Sequence, residues 1–140
     1  MKKFNVKIYE PAGNIIYGDE SLLDGRIFEK TGLDRKYEVH ADVVETSHML
    51  YRYPHLVKDN YPSLAPFKVD ITQQMRKGNR TFKKMGSKNG HLGSPSLANA
   101  ELGKIHLEDG ARLLAECAFK LHRGEPLPPW LPKHSFTISL

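Results

Sequence analysis

The sequence predicts an α+β fold: a small, mainly antiparallel sheet packed against a C-terminal helix, with a long basic loop and an extended proline-rich tail. Three observations predict it. Apolar residues alternate with polar ones over 4–9, 36–45 and 67–73, the period of a half-buried strand. From Leu107 to Leu121 the period becomes helical. Between them, residues 71–100 hold no acidic residue, and the basic, glycine-bearing segment within them has no period of either kind.

At 140 residues the chain is expected to be one domain, residues 1–140, able to bury a core without disulfides or metal. Its single cysteine, Cys117, excludes an intramolecular disulfide and any cysteine-based zinc site. The N-terminal MKKFNVKIYEP has no apolar stretch behind its lysines, so it does not read as a secretory signal. No run reaches the ~18 apolar residues of a membrane span. The expected location is cytoplasmic, without membrane association.

Each element has a local cause. Phe4, Val6 and Ile8 alternate with polar neighbours, and Pro11-Ala12-Gly13-Asn14 makes a turn to a return strand at Ile15–Tyr17. Ser21 to Glu29 allows one or two helical turns stopped by Gly32. In KYEVHADVVE, residues 36–45, Tyr37, Val39, Ala41 and Val43 face one side, with Glu38, His40 and Asp42 opposite. Phe67, Val69 and Ile71 form a further strand. Ser94-Pro95 opens a short helix to about Leu102. Leu107, Ala111, Leu114, Ala118 and Leu121 then make one stripe of a helix over 107–123. Gly124 caps it and Pro126 stops it. Residues 125–140 form the extended tail, with Phe136 and Ile138 alternating as a last strand.

Charge dominates the functional reading. The protein carries +5, while residues 71–100 alone hold six cations and no acid. A basic, glycine-containing loop over 76–93 points to an anionic partner, most often nucleic acid. Arg76, Lys77, Arg80, Lys83, Lys84 and Lys88 are the expected phosphate contacts, and Phe82 could stack on a base. Tyr51-Arg52-Tyr53 interleaves aromatics with a cation and is a second candidate platform. Gly90-His91-Leu92-Gly93 has the spacing of a backbone clamp, though two glycines three apart are common.

The expected function is therefore a non-catalytic nucleic-acid-binding accessory protein, DNA or RNA, without cofactor. Two alternatives come from other classes. A small metal-dependent nuclease would hold Mg²⁺ or Mn²⁺ through Glu38, His40, Asp42 and Asp70, with His40, Asp42 and Glu38 as its catalytic set. The polar outer face of a sheet gives the same pattern. A protein-interaction module, an inhibitor or assembly factor, would set the basic loop on an acidic protein surface. Pro128-Pro129-Trp130-Leu131-Pro132 in the tail offers a further protein contact.

Overall fold

The structure, a computed structural model, describes the backbone of residues 3–9, 24–127 and 133–139 and the side chains of residues 28–127. The elements are β1 (Lys3–Tyr9), α1 (Asp24–Thr31), α2 (Val43–Arg52), α3 (Ile71–Arg76), α4 (Ala100–Arg123) and β2 (Lys133–Ser139). Short 3₁₀ turns lie at Arg35–Tyr37, Pro54–Leu56, Tyr61–Ser63 and Pro95–Leu97. The chain divides into two compact units, Gly25–Glu108 and Met1–Asp24 with Asp109–Leu140.

The mainly antiparallel sheet is overturned. Within Gly25–Glu108 the described residues form helices, turns and two isolated bridges, His40 with Leu92 and Phe67 with Gly93. In the other unit, β1 pairs antiparallel with β2, from Lys3 opposite Ser139 to Tyr9 opposite Lys133. The return strand expected at 15–17 lies outside the described residues.

The two internal strands fail for the same reason. Asp42 stands at the N-cap of α2, where its carboxylate accepts from the N–H groups of Val44 and Glu45 at 2.8 and 2.9 Å. Asp70 caps α3 by accepting from Gln73 N–H at 3.0 Å. Each cap has Glu or Gln three residues on, the pattern that opens a helix. Once α2 starts, Val43, Val44 and Ser47 fall on its buried face.

The larger unit holds two apolar clusters. Val43, Val44, Ala98 and Leu102 form one, joined by Phe28, Leu33, Leu50 and Tyr61. Val69, Met85 and Leu92 form the other, joined by Val39, Phe67, Ile71 and Phe82. The basic segment packs through the second cluster: Phe82 and Met85 turn inward while its six cations stay exposed.

Helix α4 begins earlier than the sequence suggests. Asn99 accepts from Leu102 N–H at 3.0 Å, so the cap lies eight residues before Leu107. Its face also differs. Leu102, Gly103, His106, Gly110 and Cys117 are buried, whereas Ala111, Leu114, Ala118 and Leu121 of the expected stripe are exposed. The helix ends as its residues dictate. Gly124 takes φ +68°, its N–H donates to Leu121, and Glu125 N–H donates to Lys120. Among the described residues no helix is long and apolar enough to cross a membrane.

Candidate functional site

The chemistry-bearing residues gather where the chain turns from residue 38 into α2. Val39 and His40 N–H both donate to Leu92 C=O, and Leu92 N–H donates back to His40 at 2.8 Å. Ala41 then adopts φ +45°, the only positive φ at a non-glycine among the described residues. A side chain in that region is strained, and such strain is concentrated at functional sites. The turn throws His40 outward and Asp42 inward.

Glu38, His40 and Asp42 therefore do not share a strand face. Glu38 is buried and fully engaged: its carboxylate accepts from Ser94 N–H and Oγ–H, both at 2.8 Å, and from Val43 N–H at 3.3 Å. Gly93 makes this possible. It sits at φ +145°, and a Cβ there would lie 2.6 Å from Glu38 Oε2 and 2.7 Å from Asp42 Cβ. Asp42 is buried beside it. Burial pushes its carboxyl up to about 6; Glu45 and Glu38 add to the rise, and N–H bonds from Glu45 and Val44 oppose it.

This upward shift has a definite consequence for stability. Asp42 favours the fold fully below its unfolded value near 3.8, and that contribution is lost as pH rises through about 6. Asp42→Asn keeps a good helix cap without the buried charge. Above pH 6 the variant should be more stable than wild type by on the order of 2 kcal/mol, converging with it below pH 4. Urea midpoints at pH 4 and pH 7.5 check this; a variant less stable at pH 7.5 contradicts it.

His40 and Glu45 are the exposed pair. His40 Nδ1 lies 3.6 Å from Glu45 Oε2, and Glu45 also accepts from Ala41 N–H. The His40 ring rests on Phe82, with centroids 4.8 Å apart. Glu45 is part of the wall of a groove of about 590 Å³, which also takes in His48, Met49, Tyr61 and His91. Behind the groove, His48 Nε2 meets His106 Nδ1 at 2.8 Å across the α2–α4 crossing, so one ring donates and the other accepts.

The remaining sequence candidates are spread out. Asp70 pairs with Lys36 at 3.0 Å; the Gln73 N–H and that lysine hold its carboxyl below the usual range. Arg76, Lys77, Arg80, Lys83, Lys84 and Lys88 are exposed, with Lys77 Nζ donating to Gln73 Oε1 at 3.3 Å. Tyr51 donates to Glu108 at 3.4 Å, Arg52 lies over its ring, and Tyr53 is exposed at the end of α2. Glu45, His48, His91 and His106 were scattered in the sequence. The Asp42–Glu45 capping pattern was the signal that places the first two on one helix.

A histidine and a carboxylate held at a strained turn, beside a groove, form the kind of arrangement that hydrolytic enzymes use. The comparison with known families agrees. The family model of creatininase, described as creatinine amidohydrolase, matches residues 20–118, and the chain belongs to this family. No curated protein and no solved structure matches the chain. The expectation of a non-catalytic nucleic-acid-binding accessory protein is overturned, because the family is one of enzymes. A nuclease or an interaction module is not what the family describes either.

Of the two cofactor expectations, none and a metal such as Mg²⁺ or Mn²⁺, the family favours a metal, since its members are typically metal-dependent, with zinc the usual ion. Among the described residues, however, no three His, Cys, Asp or Glu side chains gather to hold an ion. Glu38 and Asp42 are occupied by backbone N–H groups and Ser94. His40 and Glu45 offer two donors at most. The described residues do not by themselves make a metal seat.

Proposed function

We propose that the chain is an amidohydrolase, adding water across the carbon–nitrogen bond of a compact amide such as creatinine. The observation that carries this reading is the family match, which spans every element of the groove wall and the His40–Glu45 pair. The substrate sits in the groove, whose apolar Met49 and Tyr61 and polar Glu45, His48 and His91 suit a small, polar, ring-shaped molecule.

His40 is the general base in this reading. Glu45, anchored by Ala41 N–H, faces its Nδ1 and stabilises the imidazolium that forms. At 3.6 Å the contact is longer than a hydrogen bond and tightens when substrate closes the site. A water proton passes to His40 as the water oxygen bonds to the carbonyl carbon. The same proton then goes to the departing nitrogen as the carbon–nitrogen bond breaks. The cytoplasm fits as the compartment, the single thiol being buried on α4.

Steady-state hydrolysis of creatinine tests the reading. Glu45→Gln should lower kcat by about 10–100-fold, since the amide cannot stabilise an imidazolium. An unchanged kcat would remove Glu45 from the mechanism.

A further inference from the structure

Leu107, Leu114 and Leu121 recur every seven residues along α4, with Ala111 and Ala118 between them. A seven-residue apolar repeat keeps one seam of a helix turned toward a neighbour along its whole length. The fold does not use this seam. Leu102, Gly103, His106, Gly110 and Cys117 turn inward, while Ala111, Leu114, Ala118 and Leu121 face solvent. Leu114 is 40% exposed, Leu121 49% and the neighbouring Phe119 61%. Large apolar side chains grouped on one side of one helix mark an interaction surface, whereas singly scattered ones do not.

The rim of the seam says what fits it. By helical spacing, Glu108, Arg112, Ala115, Phe119 and His122 line its open side, and all five are exposed. Arg123 lies over the Phe119 ring, 5.8 Å from its centroid. Aromatic and arginine side chains are the types enriched at protein interfaces. Charge along this rim is ordered: an acid, Glu108, at the N-terminal end, and His122 with Arg123 at the C-terminal end.

That order is complementary to its own reverse. A second α4 laid parallel would set Glu108 against Glu108 and Arg123 against Arg123. Laid antiparallel, Glu108 meets the end carrying His122 and Arg123 of the second copy, and Arg112 meets its Phe119. The helix dipoles then also run in opposite directions. An unrelated protein would have to supply this reversed order; another copy carries it already.

We infer that this face of α4 binds a second copy of the chain, the two helices packing antiparallel along the Leu/Ala seam. The inference does not depend on hydrolysis in the groove, because no seam residue belongs to the groove wall.

Sedimentation velocity over about 5 to 500 μM protein tests it. Wild type should pass from the mass of one chain to twice that mass, with a dissociation constant on the order of 10 μM. Leu114→Glu sets a charge in the seam and should raise that constant about 100-fold. Because Leu114 is exposed, its circular dichroism should match wild type. Ala118→Glu, at a second exposed seam position, should act alike.

Cross-linking reads the direction. In a Cys117→Ala background, mild oxidation should join Ala115→Cys to itself and Glu108→Cys to Arg123→Cys, with neither of the last two joining to itself. A wild-type protein still monomeric at about 500 μM would overturn the inference. A dimer that tolerates both Leu114→Glu and Ala118→Glu would overturn it too, since it would use another face. Self-cross-linking of Arg123→Cys would show a parallel pair and contradict the antiparallel assignment.

Discussion

His40→Ala should lower kcat for creatinine hydrolysis by about 10²–10⁴-fold, the usual worth of a positioned general base. The fold should survive. His40 is exposed, and its structural ties to Leu92 run through backbone N–H and C=O, which alanine retains. The side chain's own contacts are the exposed Glu45 and the half-buried Phe82, whose packing on the second apolar cluster does not depend on the imidazole. KM should change little if His40 acts on water and not on the bound ring. The measurement is kcat and KM at saturating metal, with circular dichroism confirming the fold. A kcat within threefold of wild type contradicts the assignment.

Gly103→Ala should cause the largest loss of stability. Gly103 lies where α4 crosses α2, and an added Cβ would overlap the Ser47 carbonyl, a backbone group that cannot swing aside. Two further links cross the same contact: Asn99 N–H donates to Ser47 Oγ at 3.2 Å, and His48 meets His106 at 2.8 Å. Alanine gains about 1 kcal/mol in helix propensity, but separating the helices costs more. The net loss should be about 2–4 kcal/mol, a fall in Tm on the order of 10 °C. Thermal melts at fixed pH check this, and an unchanged or raised Tm would show that the helices do not approach so closely.

Some of this was legible in the residues. Period-two alternation places a strand at β1, and Gly124 with Pro126 places the end of α4, because these are local signals with local causes. The stretch 36–45 misleads because Val39, Ala41 and Val43 alternate while the chain is crossing from a bridge into a helix. Asp42 decides the outcome, and its cap outweighs an alternation only a few residues long. The stripe on α4 misleads differently. Gly103 and His106 look like poor core residues, yet the missing side chain of Gly103 lets α4 approach α2 closely and His106 is buried by meeting His48.

The site was harder to see. Glu38 and Asp42 attract attention as ligands, but burial and five hydrogen bonds between them, three to Glu38 and two to Asp42, make them structural. His48 and His106 are 58 residues apart and meet only through the helix crossing. The charge of 71–100 points to nucleic acid, but charge patterning alone carries no information about the enzyme family to which residues 20–118 belong.

The most direct measurement of the central claim is incubation of the zinc-supplemented protein with creatinine in ¹⁸O-labelled water. The account predicts a ring-opened acid carrying one ¹⁸O, formed faster than in a protein-free control and lost in His40→Ala. Absence of that product from the wild-type protein, or its undiminished formation by His40→Ala, would contradict the account.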